Sequence, residues 1–402
     1  MSEDFNLPVG PFHPLLEEAE YFKITLDGEK VKEIEMETGW MHRAIEKLSE
    51  SNTFDQTIFL VERICGICSA SHPFACVNAL EDIGNVEIPL RARYIRSLIG
   101  EMERIHSHLL WLGLAGHFIG YDTLWMWAWK YREPILEVIE LITGNRNHYG
   151  VFRIGGVRKD YDISLNTRVN EVMDMLEKKL SMVAKAAMDD PVLKSRLCGV
   201  GILTKEDAIN YCATGPTARA SGVAIDVRKD EPYAAYDLLD FDIIVREEGD
   251  VFAKTVVRIL EMLESIKMVR QIIERLRKIS GPIYNDVAEI PAGEGIGRHE
   301  APRGEVFHYI RSDGSNRPIR HKIRAPSYVN IPTYEVSCPG MNLSDVMITL
   351  ASVDPCYCCT ERSVKLFDSK GTEIAQNLLE LSQRKTDRLI DELGESELWK
   401  LL

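Results

Sequence analysis

The chain has 402 residues, is 45% hydrophobic and carries a formal net charge of −14. That length can bury a large core in two or three domains, and the acidic balance excludes the clustered Lys and Arg on which nucleic-acid binding rests. No run approaches the roughly 18 apolar residues that span a bilayer; the most apolar stretch, Leu109 to Trp129, is broken by Gly113, Gly116, His117, Gly120 and Asp122, so any membrane association is expected to come through partners.

The first residues, Met-Ser-Glu-Asp-Phe, lack a basic leader followed by an apolar run, so no secretory signal is read and an intracellular location is expected. Tyr21 to Met36 reads as a hairpin: Phe22, Ile24 and Leu26 alternate, Asp27-Gly28 turns, and Val31, Ile34 and Met36 return imperfectly. From Arg91 to Leu112, apolar residues at steps of three and four predict an amphipathic helix closed by Gly113, with similar periodicity over Tyr131 to Ile142 and Val169 to Met188. Val251 to Ile279 predicts a long core helix ended by Ser280-Gly281-Pro282. Between Pro282 and Pro355 the pattern shortens to loops and brief extended pieces such as Tyr328 to Tyr334. The expected class is α+β, mainly α: a β-containing segment over 1–60, a helical core over 61–281, a loop and short-strand region over 282–362 and a tail over 363–402. No repeat or linker separates these pieces, so one intertwined unit is expected.

Two cysteine pairs stand far apart, Cys65-Gly-Ile-Cys68 and Cys356-Tyr-Cys358-Cys359. Thiolates are soft, strongly donating ligands, and two such turns converging would set four sulfurs around one or two transition metals. Structural zinc ribbons space their pairs roughly 15–20 residues apart, whereas nearly three hundred lie between these. A zinc staple, a redox disulfide pair and a redox-metal site all remain open on spacing alone. Cys76, Cys198, Cys212 and Cys338 read as buried small hydrophobes.

The flanks discriminate further. Arg63-Ile-Cys65-Gly-Ile-Cys68-Ser-Ala-Ser-His72 and Asp354-Pro355-Cys356-x-x-Cys359-x-x-Arg362 resemble the two signatures of the nickel–iron hydrogenase large subunit. Gly10-Pro11-Phe-His13-Pro14, Gly39-Trp-Met-His42-Arg43-Ala-Ile-Glu46 and Glu103-Arg104-Ile-His106-Ser-His108 are similar to segments shared with the quinone-site subunit of respiratory complex I. Since that subunit lacks the four cysteines, the chain resembles the catalytic subunit of the membrane-bound, energy-converting hydrogenases, over nearly its whole length.

The resemblance implies a nickel–iron centre with carbon monoxide and cyanide on the iron, Cys65 and Cys356 as terminal nickel ligands, and Cys68 and Cys359 as bridges. Cys358 would be a bystander. Glu18 matches a proton-transferring glutamate; Arg303, in Pro302-Arg303-Gly304, matches an arginine over the open metal position; and Ser327 matches a hydroxyl that holds a cyanide. Asp354, Arg63 and His72 would surround and tune the metals. His72, four residues after Cys68, would share its helical face, and Arg63 would pair with a buried carboxylate. Glu46 matches a ligand of a separate divalent ion in other branches, an ion not expected here. His106 and His108 fit a structural role as well as a proton path, and Trp125, Trp127 and Trp129 fit packing or an interface.

The implied partners are an iron–sulfur small subunit holding 4Fe-4S clusters, membrane subunits of an energy-converting complex and, indirectly, ferredoxin, on the cytoplasmic side of the membrane. No nucleic acid and no transmembrane segment are expected. Relatives are cut after the second motif, so Ser363 to Leu402, with a helical pattern through Ile374, Leu378 and Leu389, is read as a tail that is either removed or retained. The competing readings are a complex I-like or sulfur-reducing subunit without a working nickel–iron site, and a zinc-stapled scaffold.

Overall fold

The computed structural model describes residues 5–14, 16–360, 366–367, 373–374 and 378–394. Met1–Glu361 pack as one compact unit and Arg362–Leu402 as a second. The chain opens with a three-stranded antiparallel sheet of β1 (Phe5–Val9), β2 (Tyr21–Asp27) and β3 (Lys30–Glu37) in that order. Gly28, at φ 60°, makes the expected hairpin turn. The imperfect return of Val31 and Ile34 is a β-bulge, which shifts the register between Thr25 and Leu26.

Four helices follow: α1 (Ile45–Ser49), α2 (Phe54–Glu62), α3 (Ser71–Gly84) and α4 (Leu90–Phe118). The last runs through Gly113 instead of ending there, because Gly113 is a packing position: a Cβ on it would lie 2.9 Å from Trp129 Cδ1. Trp129 belongs to α5 (Asp122–Thr143), whose Met126, Trp127 and Trp129 are exposed. After the short hairpin β4 (Phe152–Arg153) and β5 (Gly156–Val157) come α6 (Asn166–Asp189), α7 (Pro191–Leu197), α8 (Lys205–Asn210), α9 (Gly215–Arg219), α10 (Val227–Asp230) and the long α11 (Val251–Leu276).

α4 is not amphipathic. It is buried on nearly every side, including Arg96, Glu101, Glu103, Arg104, His106 and His108. Arg96, Glu101 and Arg104 are tolerated there because they are paired. Arg96 grips Glu81 with two bonds at 2.6 and 2.8 Å. Arg228 Nη1 reaches Glu101 at 3.1 Å, and Arg219 joins Glu261 of α11 to Glu300, each at 2.8 Å. His108 Nε2 sits 3.0 Å from the same Glu261, and His106 Nε2 lies 3.0 Å from the Tyr149 hydroxyl.

Where loops and short strands were expected, the strands are longer and form one antiparallel sheet: β6 (Ala292–Ala301), β7 (Gly304–Asp313) and β8 (Pro318–Arg324). The glycines that looked like turn signals alternate along β6 and lie against α3. A Cβ on Gly295 would meet Ala79 O at 2.2 Å, and one on Gly297 would meet Ala75 O at 1.9 Å, so helix and strand touch backbone to backbone. Tyr328 to Tyr334, expected as extended, is helical: α12 (Pro326–Asn330) leads through a single turn into α13 (Tyr334–Ser337), and α14 (Leu343–Ser352) follows.

A second core joins the two ends of the first unit. Phe22, Ile24, Val31 and Ile34 pack with Ile331, Tyr334, Leu350 and Tyr357, and the Phe22 ring meets Tyr334 and Tyr357 edge-on at 6.0 and 6.3 Å. This packing brings the β1–β2 loop, with Glu18, to the second cysteine pair. Cys76 and Cys338 are buried as expected, but Cys198 and Cys212 are exposed, each lying just beyond a short surface helix. In the second unit β9 (Leu366–Phe367) pairs with β10 (Glu373–Ile374), and α15 (Leu378–Leu393) follows, so Ile374 is on a strand and outside the predicted tail helix.

Candidate metal centre

The first pair is positioned by two helix ends. α2 begins with a capping box, Thr53 Oγ1 accepting from Gln56 N at 3.3 Å and Gln56 Oε1 from Thr53 N at 3.0 Å. Past its end the backbone folds so that Ile67 N and Cys68 N point at Cys65 Sγ, 3.3 and 3.4 Å away. Cys68 lies before α3, so His72 approaches the sulfurs from the first turn of that helix and shares no helical face with Cys68. Glu103 of α4 holds the same turn, accepting from Ser71 N at 3.1 Å and from Ala70 N. Burial pushes its carboxyl up to about 8 against the pull of those donors.

The second pair sits on a single turn over Tyr357–Cys359, entered through Asp354 at φ 58°, a left-handed conformation that a non-glycine residue adopts at a cost. Side chains from distant positions hold it. Ser327 Oγ accepts from Cys356 N at 3.0 Å; Arg303 donates to Asp354 O at 2.9 Å and pairs with Asp354 Oδ1 at 2.7 Å. Burial opposes the charge on Arg303, but Asp354 and the nearby thiols outweigh it and hold its pKa well above the ordinary value. Glu18 accepts from Cys358 N, with its other oxygen 4.0 Å from Cys356 Sγ. Burial raises the Glu18 carboxyl although its hydrogen bonds to Cys358 pull the other way.

The pairs converge. Sγ of Cys65, Cys68, Cys356 and Cys359 all lie within 4.8 Å of one another, with Cys358 outside the group. Cys356 Sγ is 3.5 Å from Cys65 Sγ and 3.0 Å from Cys359 Sγ, and Cys68 Sγ is 3.6 Å from Cys359 Sγ. Hydrogen bonds from Cys356, Cys359 and Cys68 pull the Cys65 thiol well down, while Cys356 is pushed up; four such neighbours ionise together only around a cation. On one side of the cluster lies a small enclosed cavity bounded by Cys68, Cys359, His72, Pro302, Arg303 and Ser327. Asp354 Oδ2 is buried without a hydrogen-bond partner.

Arg63 takes a different place. Its guanidinium is half-exposed and pairs with the buried Glu62 at 2.6 Å. The Glu46 carboxylate is engaged by Lys322 Nζ and Ile323 N, both at 2.9 Å. Arg362 of the second motif lies outside the described residues. Two side chains with no role read from sequence emerge: Glu103, and Arg43, which ties the pairs together by donating to Arg63 O (3.0 Å), Ile64 O (2.7 Å) and Cys358 O (2.9 Å). The only advance signal was their presence in the segments similar to complex I.

Residues 119–290 and 283–362 match the family described as "Respiratory-chain NADH dehydrogenase, 49 Kd subunit", and residues 43–114 match "Nickel-dependent hydrogenase". The chain belongs to this joint family. It is 39% identical to the carbon monoxide-induced hydrogenase of Rhodospirillum rubrum, over 89% of this chain and 99% of that protein. It is 37% identical to the membrane-bound hydrogenase subunit alpha of Pyrococcus furiosus, over 96% of this chain and 94% of that one. A membrane-bound sulfane sulfur reductase, an archaeal respiratory membrane complex, has a chain of the same fold with TM-score 0.85 and 32% identity, over 90% of this chain and 99% of that one. The family is one of oxidoreductases whose members include subunits of membrane-bound complexes. Among the described residues no helix is long and apolar enough to cross a membrane.

Proposed function

We propose that the chain is the catalytic subunit of a membrane-bound nickel–iron hydrogenase complex, interconverting protons and hydrogen with electrons from ferredoxin passed through a partner's iron–sulfur clusters and coupled to ion translocation. The observation that carries this reading is the one-sided cavity. A structural zinc site is closed around four sulfurs, whereas here Cys68 and Cys359 alone among the four thiols border an enclosed space lined by Pro302, Arg303 and Ser327. That donor set fits a bimetallic group: Cys68 and Cys359 would hold both metals, and Cys65 and Cys356 nickel alone. When bound, the group supplies the redox and Lewis-acid chemistry that splits or forms hydrogen.

The chain's own residues do the rest. Arg303, fixed by Asp354, sets a buried positive charge against the cavity, and Ser327 offers its hydroxyl there while taking the Cys356 N–H. Glu18, reaching Cys356 and Cys358 with a carboxyl made easier to protonate by burial, is placed to take or give a proton beside the thiols. The likeness to the sulfane sulfur reductase supports a second reading, a respiratory subunit without a working nickel–iron site. Metal analysis and hydrogen evolution by the purified complex decide between them. Nickel and iron near one each per chain with hydrogen production are expected; nickel-free complex that reduces sulfur compounds favours the second reading, and zinc alone a scaffold.

A further inference from the structure

Away from the four thiols, a cysteine and two histidines converge in the core. Cys76 lies on α3, His308 on β7 and His321 on β8, and all three are fully buried. The strand register explains the meeting. Ile310 pairs with His321, and His308, two residues before Ile310, shares its face of the sheet and stands diagonally across from His321. Cys76 Sγ and one nitrogen of each ring lie within 4.8 Å of one another, the same span that encloses the four thiols. We propose that Cys76, His308 and His321 bind a further metal ion, a soft cation, zinc or copper(I), that ties α3 to the sheet β6–β8.

The hydrogen bonds of the rings show which atoms would take the ion. Ser49 Oγ donates to Glu46 O at 2.7 Å, so it accepts from His321 Nδ1, 3.1 Å away. A neutral ring protonated on Nδ1 has a bare Nε2, and that atom faces His308 Nδ1 at 2.9 Å. An ion held by both would part them only slightly, since zinc–nitrogen bonds of about 2.0–2.1 Å at a tetrahedral angle set two nitrogens roughly 3.3 Å apart. His308 would then carry its proton on Nε2, 3.1 Å from His72 Nδ1. Each ligand ring thus has its outward N–H held by an acceptor, Ser49 for one and His72 for the other, which is the support that fixes metal-bound imidazoles.

Donor chemistry selects the ion. One thiolate and two neutral imidazoles make a soft set, suited to zinc and copper(I), whereas calcium and magnesium take oxygen. Three donors satisfy copper(I) outright and leave zinc one further position. Burial holds His308 well below its ordinary pKa and His321 at about 3, so both rings keep a lone pair ready for a metal at neutral pH. Burial also keeps the Cys76 thiol protonated; a cation at the sulfur reverses that preference by pairing with the thiolate. Binding releases this one thiol proton, each ring retains one proton, and no electron moves.

The site is independent of what the four cysteines hold, and its test keeps the two apart. Full-length chain stripped by chelator and dialysed against zinc, or against copper(I) without oxygen, is read by metal analysis and by X-ray absorption at the metal edge. Wild type should bind one ion per chain more than Cys76→Ser or His321→Gln. In the zinc sample that ion should show one sulfur at about 2.3 Å and two nitrogens at about 2.0–2.1 Å. Zinc among the four cysteines shows four sulfurs instead, and Cys359→Ser should weaken that site and keep this one. Equal metal content in wild type and folded His321→Gln, or a wild-type spectrum fitted by sulfur alone, overturns the proposal. If neither variant of the trio folds, nitrogen-15 spectra of the wild-type chain decide: His308 Nδ1 and His321 Nε2 should both shift on addition of zinc, and unshifted resonances overturn the site.

Discussion

The two cysteine pairs bring equal numbers of sulfurs to one place by opposite means. Cys65 and Cys68 lie on a turn between two helices, with backbone N–H groups aimed at Cys65 Sγ and one remote carboxylate, Glu103, securing the start of α3. Cys356 and Cys359 lie on a single turn behind a strained Asp354, and Ser327, Arg303, Arg43 and Glu18 hold it from elsewhere in the chain. The first pair is a product of local folding. The second exists only once the sheet β1–β3, the turn after β6 and α12 have assembled around it.

The comparison breaks most completely at the shared sulfurs. Cys359→Ser should abolish hydrogen turnover and metal retention, whereas Cys358→Ser, one position away but outside the group of four, should keep most of both; equal loss in assays of metal content and hydrogen evolution would show that the bystander was misassigned. Next comes Glu18→Gln, which keeps the shape of a grip on the second pair but removes the proton. Turnover should fall by about two orders of magnitude with metal content near normal, and unchanged turnover would shift proton traffic to the His72 side.

Arg303→Met removes one half of a buried ion pair and leaves Asp354 uncompensated. A loss of about 3–5 kcal/mol is expected by chemical denaturation, and a loss within about 1 kcal/mol would mean that the turn holds itself. Gly297→Ala tests the opposite side of the site. Its Cβ would stand 1.9 Å from Ala75 O and force α3, with His72, off β6 at a cost of about 1–3 kcal/mol; a wild-type melting temperature would refute the close contact. The smallest effect is expected of Arg43→Lys, which trades three backbone grips for fewer. Roughly 1 kcal/mol of stability should go, and a slower rate of metal loss to chelator than wild type would contradict its bracing of the second pair.

How much of this could be read in advance follows the same division. The hairpin at Asp27-Gly28 and the helix over Val251–Leu276 were legible because turn chemistry and periodicity are local signals. The sheet β6–β8 was not, because Gly293, Gly295 and Gly297 signal a turn locally and only the backbone of α3 explains a strand face without side chains. The polar residues of α4 read as a wet face for a related reason: Glu101 and Arg104 are tolerable in the interior only through partners far away in sequence, Arg228 for the first and the Glu300 and Ala301 carbonyls for the second.

By itself the sequence determined the set of sulfur donors, four cysteines in two tight turns with the flanking residues of a known family, because spacing within a turn and donor type are properties of a few adjacent residues. Only the tertiary structure decided that Glu18 meets Cys358, that Arg43 braces both pairs, that the cavity opens beside Cys68 and Cys359 alone, and that His72, His308 and His321 align. Each of these joins residues tens or hundreds of positions apart, and hydrogen bonds between such residues form only when packing has already brought their backbones within reach.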